Sequence, residues 1–263
     1  MKNILFCLFI TITFLSKGGE LNKIRKAADQ GEPDAQYKLG TMYYMGKEVN
    51  EDKTLAFYWI KKSAEQGNAE AQYSLGLMYM GGIATEKNTQ QAMYWIEKSA
   101  QQGNSDAQSD LAKLYSSGKG VQIDEEKSIE LYKKSAEQGN MEAQLKLGNM
   151  YFDGNNVEID KREAFIWFKK AAEQGDINAQ YKIGEMLYNG DGVLLDKKQA
   201  AYWYIKSAKK DNPEAQYNLG YMYYKGDGVA TDKKKAAYWI RAAFDNGNPR
   251  AKDLWEELEL WKY

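Results

Sequence analysis

The sequence predicts an all-α fold, a right-handed α-solenoid built from stacked 36-residue antiparallel helix pairs. Three observations predict it. Ala35, Ala71, Ala107, Ala143, Ala179, Ala215 and Ala251 are spaced 36 residues apart with no insertion. Within each interval, apolar and small residues recur at helical spacing on two stretches. Residues that start and stop helices keep the same phase in every copy. A fixed period of this length marks units that cannot bury their own apolar faces and do so by stacking.

The elements follow in chain order. The opening MKNILFCLFITITFLSKG carries Lys2 and then an apolar run from Ile4 to Leu15. About 20 apolar residues are needed to span a bilayer, so the run is too short. Residues 1–18 are expected to be a secretory signal peptide, with Ser16 and Gly18 at the −3 and −1 positions of a cleavage after Gly18. An uncleaved anchor is the alternative. The expected location is the periplasm or the outside medium, with no stable membrane insertion after cleavage. Cys7 is the single cysteine, so the mature chain would have none. The solenoid follows over 19–263: an N-terminal half repeat at 21–34, six full repeats over 35–250 and a capping helix over 251–263.

In each unit the first helix carries the pattern of Ala35, Leu39, Gly40, Met42 and Tyr43, and the second that of Ala56, Trp59, Ile60 and Ala64. Asp52, Asn88, Asp124, Asp160, Asp196 and Asp232 suit the N-cap of the second helix. Gly31, Gly67, Gly103, Gly139, Gly175 and Gly247 suit the left-handed residue that ends it, with Asp211 replacing Gly in one copy. Pro33, Pro213 and Pro249 share a phase expected to be the first helical turn, where a missing N–H costs nothing. Gly40, Gly76, Gly148, Gly184 and Gly220 fall in mid-helix, where Gly costs about 1 kcal/mol against Ala. Close approach of a neighbouring helix would offset that cost and leave room for Trp59, Trp95, Trp167, Trp203 or Trp239. The row Tyr43, Tyr79, Tyr115, Tyr151 and Tyr223 is expected to be core.

Composition excludes several functions. Basic and acidic residues number 36 and 37, so nothing suggests nucleic acid. Histidine is absent, which removes imidazole acid–base chemistry, the common nucleophile pairs and nearly every common zinc site. S-x-x-K occurs at Ser116–Lys119 and Ser207–Lys210, about as often as chance gives here, and S-D-N and K-T-G are missing. G-D-G at 190–192 and 226–228 lacks the Gly-Lys-Ser/Thr ending of a phosphate loop and follows a helix. It is expected to be the turn between paired helices. The expectation is therefore no enzyme, no cofactor and no metal.

The stretches AQYNLGYMYYKGDGVATDKKKAAYWIRAA (215–243) and AQYKIGEMLYNGDGVLLDKKQAAYWYIKSA (179–208) resemble the Sel-one-like repeat family, relatives of the tetratricopeptide repeats. The third unit departs most, with Ser109, Ala112 and Leu131 at the usual Tyr, Gly and Trp positions. The resemblance implies a superhelix with a concave inner face and a role as a protein-binding scaffold. Exported members are associated with host contact, envelope regulation or toxin neutralisation, and some cysteine-rich members with weak β-lactamase activity. Two alternatives follow: an immunity or inhibitor protein against a secreted toxin, and a weak β-lactamase-like hydrolase using Ser116.

The related geometry also implies that first helices line the concave groove. One phase holds Tyr37, Tyr73, Tyr181 and Tyr217, with Ser109 and Leu145 in the other copies. Another holds Tyr44, Met80, Phe152, Tyr188 and Tyr224. Between them lie Thr41, Leu77, Lys113, Asn149, Glu185 and Tyr221, a different residue in every unit. A packing position repeated six times should hold one residue type, so this variation points to solvent or a ligand. These residues are the expected contact face of a monomer that binds another protein or peptide. Asp34, Glu70, Asp106, Glu142 and Glu214 form an acidic row that suits the positive ends of the first helices.

Overall fold

The structure, a computed structural model, describes residues 19–263. The expected signal peptide lies outside the described residues. Among the described residues all regular structure is helical, and no helix is long and apolar enough to cross a membrane. The chain divides into two compact units, one ending at Ser135 and one running from Ala136 to Tyr263. The division falls in the third repeat, the one with the most departures from the repeat pattern.

The first unit comprises α1 (19–29), α2 (Pro33–Met45), α3 (Lys53–Glu65), α4 (Ala69–Gly81), α5 (Thr89–Gln101), α6 (Ser105–Ser117) and most of α7 (Glu125–Glu137). The second comprises α8 (Met141–Asp153), α9 (Lys161–Gln174), α10 (Ile177–Asn189), α11 (Lys197–Ala208), α12 (Pro213–Lys225), α13 (Lys233–Asp245), α14 (Ala251–Glu257) and a 3₁₀ turn at Leu260–Lys262. Within a pair the helices run antiparallel. Residue 33 meets 63, 40 meets 56 and 60, and 44 meets 53.

Helix boundaries follow the punctuation. Asp52 accepts from the Thr54 and Leu55 amides at 2.9 Å, and Asp196 from the Gln199 amide at 2.9 Å. Asn88, Asp124, Asp160 and Asp232 cap their helices in the same way. The glycines that end the second helices have φ of 90 to 103°, and Asp211 adopts 62° in their place. Pro33 and Pro213 open α2 and α12, but Pro249 lies in a turn before α14. There the Asn248 carbonyl takes the Ala251 amide and its side chain takes the Arg250 amide, so the helix starts later. The capping segment is also not one helix. Glu259 turns left-handed at φ 49°, and the following turn places Leu260 in the core with Ala243, Ala251 and Leu254.

Glycine at mid-helix does admit a close neighbour, but the neighbour is not Trp. A Cβ on Gly40 or Gly76 would stand 2.6 Å from Ile60 or Ile96 Cγ1, on Gly148 2.5 Å from Phe168, and on Gly184 2.7 Å from Tyr204. The residue after each Trp therefore fills the glycine notch, and the Trp packs beside it. In the third repeat the phase carries Ala112, and Ser128, in a phase otherwise Ala, donates to the Ala112 carbonyl at 2.8 Å. The Tyr43 row is half-buried against the core. The fully packed position is the preceding one, with Met78, Met186 and Met222 nearly inaccessible.

Most polar groups in these contacts are paired. Buried Ser63, Ser99, Ser135 and Ser207 donate to the Pro33, Ala69, Ser105 and Ile177 carbonyls at 2.6–2.9 Å. Gln36 and Gln72 reach back to the carbonyls of Ala28 and Ala64 at 3.1 Å. Asn68 and Asn104 bridge repeats by donating to Asp34 and Glu70 at 2.7 and 2.9 Å. The acidic row thus braces the next repeat's N-cap. The G-D-G segments are turns, as expected, and they clip neighbouring repeats. Asp191 accepts from Lys161 at 2.5 Å, and Asp227 accepts from Lys197 at 2.8 Å.

Two outcomes test this packing. Gly184→Ala raises helix propensity by about 1 kcal/mol, yet it should destabilise the chain by about 1–3 kcal/mol through overpacking against Tyr204. Thermal unfolding measures the sign. The ammonium of Lys197 holds the Asp227 carboxyl below its ordinary value, burial opposes this, and the Tyr188 hydroxyl adds to the lowering. The unfolded chain therefore binds this proton more tightly. The clip's contribution is complete above the ordinary carboxylate pKa of about 3.9. It is lost as pH falls through the lowered value. Denaturant titrations from pH 7 to 3 should show a flatter acid limb for Asp227→Asn than for the parent chain.

Candidate functional site

The second unit gathers five of the expected contact residues into one pocket. Tyr181 and Glu185 come from α10 with Tyr188, and Tyr217 and Tyr221 come from α12. The cavity is about 310 Å³, within the usual range for ligand clefts of about 300–1,000 Å³. These residues share a wall because α10 and α12 are the first helices of successive repeats, so equal phases lie side by side.

Five lining residues escape the first-helix phases: Asn189, Tyr204, Asn218, Met222 and Arg250. Tyr204 comes from α11. Its ring fills the Gly184 notch, and its hydroxyl accepts from the Asn218 amide at 3.3 Å. The signal was a hydroxyl at a position that is Ile in three other copies. Arg250 occupies the seventh copy of the acidic phase, where the charge reverses. Its guanidinium lies 4.4 Å from the Tyr217 ring centre and pairs with Glu214.

Two of the hydroxyls here donate to carboxylates. Tyr181 donates to Glu185 at 3.1 Å, and Glu185 also accepts from Lys182 at 2.9 Å. Tyr188 donates to Asp227 at 2.8 Å. Burial, and then the neighbouring Glu185 carboxylate, pushes the Tyr181 phenol well up; burial does the same to Tyr204. Burial and the bond to Asp227 push Tyr188 up to about 12. All three are therefore protonated at neutral pH. Around Tyr181 and Tyr188 the wall offers an incoming group aromatic faces and phenol lone pairs, with Arg250 at its side.

The remaining expected residues lie outside this pocket. In the first unit, Tyr37 and Tyr73 use their hydroxyls between repeats, on Ser74 at 3.3 Å and Asp110 at 2.8 Å. Tyr44 lies under the Lys53 ammonium at 3.5 Å. Thr41 bonds its own helix at the Lys38 carbonyl, Met80 is half-buried, and Leu77 and Lys113 are exposed. In the second unit, Asn149 bonds the Leu145 carbonyl, and Phe152 packs on Phe168 with Lys161 and Lys182 above it. Tyr224 lies beneath Lys225 and Lys233.

Both S-x-x-K serines donate to backbone carbonyls, Ser116 to Lys113 and Ser207 to Ile177, and Lys210 donates to the Gly175 carbonyl. Among the described residues no group of three or more Asp, Glu, His or Cys could hold a metal ion.

Known proteins resemble this architecture. A Sel1 repeat protein from Oxalobacter formigenes is 31% identical, with a TM-score of 0.73 over 86% of this chain and 98% of that one. The c5321 protein, a protective antigen present in uropathogenic Escherichia coli strains and displaying an SLR fold, is 36% identical. Its TM-score is 0.80 over 88% of this chain and 50% of that one, so the present chain spans half its length. No curated protein matches significantly. The Sel1 repeat model matches residues 33–68, 69–104, 105–140, 142–176, 177–212 and 213–248. With six matched repeats and an all-helical paired architecture, the chain belongs to the Sel1 repeat family.

Proposed function

We propose that the chain is a non-catalytic scaffold that binds another protein or peptide on the face formed by its first helices. The tyrosine pocket of the second unit is the anchor. The observation that carries this reading is the state of that wall. Four first-helix tyrosines and Glu185 converge on an open cavity, and the hydroxyls of Tyr181 and Tyr188 donate to carboxylates. A wall of ring faces and lone pairs favours a donor-rich cationic group through cation–π attraction and hydrogen bonding. Arg250 over Tyr217 provides a resident example. The partner is therefore read as presenting a Lys or Arg side chain. Tyrosine suits such a role because it offers a large amphipathic contact with few rotors. The bonding of Ser116 and Ser207 to backbone carbonyls supports the non-catalytic part.

N-acetyl-argininamide, titrated with tyrosine fluorescence as the readout, should bind more tightly than N-acetyl-norleucinamide. Tyr181 packs on the core and near the Tyr204 ring, at 5.9 Å. Its truncation would therefore mix binding with stability. Glu185→Gln and Tyr221→Leu are better variants. Together they should weaken binding about tenfold or more, roughly 1.4 kcal/mol, and leave the melting temperature within a few degrees. Equal affinity for the two amides would overturn the cationic reading. Unchanged binding in the double variant would overturn the site.

A further inference from the structure

The turn between α10 and α11 presents two leucines to water. Leu194 is 92% exposed and Leu195 57%. The residues at the Leu194 phase in other repeats are Asn50, Glu86, Gln122, Glu158 and Ala230, so stacking does not require a large apolar group there. The exposure does not come from a slack loop. The Asp191 and Asp196 amides donate to the Met186 and Leu187 carbonyls at 2.9 Å, and Val193 packs against the core. The Asp191 carboxylate is clipped to Lys161. A fixed turn therefore holds Leu194 and Leu195 outward.

A second observation concerns charge. Residues 194–198 and 230–235 contain five lysines and two aspartates. They lie along one edge: a Cβ on Gly228 would collide with the Lys197 carbonyl, so the turn of the sixth repeat rests on the start of α11. Both aspartates cap helices, Asp196 on the Gln199 amide and Asp232 on the Lys235 amide. Asp227 pairs with Lys197, and Asp232 with Lys235. Lys198 and Lys234 are exposed and, among the described residues, unpaired. Lys233 donates to the neutral Tyr263 hydroxyl and keeps its charge. The fourth repeat extends the edge with exposed Ile159 and Arg162, but Glu158 and Glu163 offset the charge there. The cationic excess thus lies beside the leucines, towards the sixth repeat.

We propose that this edge docks on a bilayer containing anionic phospholipid, with Leu194 and Leu195 entering the boundary between headgroups and acyl chains and Lys198, Lys233 and Lys234 facing the lipid phosphates. A leucine that stands clear of its own protein needs a receiving medium, and a bilayer interface receives it without a matching pocket. Such binding combines buried apolar area with attraction to anionic lipid, and each lysine near the surface adds to it. The chain adsorbs by this edge and does not cross, consistent with the absence of a long apolar helix among the described residues. The site does not rest on the tyrosine pocket.

The full chain is sedimented with vesicles of phosphatidylcholine and phosphatidylglycerol in equal parts, and with vesicles of phosphatidylcholine alone. Binding to the mixed vesicles should be about tenfold stronger or more, and should weaken at high salt. Leu194→Ser with Leu195→Ser, both at exposed positions, should lower it about tenfold or more and leave the melting temperature within a few degrees. Lys198→Gln with Lys234→Gln should lower it by about the same factor on the mixed vesicles alone. A local readout comes from leucine methyl NMR in bicelles carrying a doxyl-labelled lipid. The Leu194 and Leu195 signals should broaden while that of buried Leu219 is spared. Full retention of binding by both double variants would sink the proposal, because the apolar run at residues 4–15 would then carry it. Sharp Leu194 and Leu195 signals on bound chain would do the same. Capture of poly-glutamate without binding to the mixed vesicles would also overturn it, since the lysines would then serve an acidic polypeptide.

Discussion

Each helix pair depends on one contact, in which a bulky residue of the second helix is set into a notch left by a mid-helix glycine or alanine of the first. Glycine in such a position is intrinsically unfavourable, and the contact offsets that cost by removing Ile60, Ile96, Phe168, Tyr204 and Ile240 almost completely from water. The same approach distance brings Ser63, Ser99 and Ser207 within reach of the carbonyls at the start of the facing helix. Packing and polar satisfaction are thus one geometric condition. Buried hydroxyls without those carbonyls would cost more than they contribute.

Stacking of successive pairs uses a different set of groups. Buried glutamines bond backwards to the preceding repeat, asparagine caps bond to its acidic row, and lysines clip its second helix to the next turn. Gln66 and Gln102 donate to Gln36 and Gln72 at 2.7 Å. Lys210 replaces this donor in the fifth copy and bonds Gly175, which leaves Gln180 Oε1 unpartnered. Half-exposed pairs of this kind contribute little singly. Their value lies in recurrence at a constant interval, which holds neighbouring repeats in one alignment.

Cap chemistry made the fold legible from sequence alone, because Asp or Asn before a helix and Gly after it act locally and need no tertiary context. Side-chain neighbours were less legible. Helical periodicity identifies the face of a helix but not which of two adjacent bulky residues enters a notch, so Trp203 and Tyr204 were exchanged in role. The Tyr43 row packs against the core half-buried, while the Met42 row of the same pattern is buried more deeply. Pro249 followed the repeat phase, yet the closing helix begins later because Asn248 terminates the chain's last full pair differently. For the site, comparing phases along one helix found Tyr181, Glu185, Tyr188, Tyr217 and Tyr221. It could not find Tyr204 or Arg250, which arrive from the second helix and from the seventh copy. A reversed charge in an acidic row and a tyrosine in a row that is isoleucine in three copies were the available signals.

Those signals share one logic. In a repeat protein each position is sampled several times under nearly the same packing demand, so agreement among copies reports what stacking requires. A departure then has two physical outcomes. It can be absorbed, as Ala112 is with Ser128 bonding its carbonyl, and the copy remains a structural element. Alternatively it can leave chemistry unspent, as with the phenol lone pairs and ring faces around Glu185. Only the second outcome creates a place where a partner gains more from contact than water does. The tyrosine pocket arises where the repeat pattern leaves chemistry of this kind uncompensated, and Arg250 over the Tyr217 ring shows the kind of group that such a wall accepts.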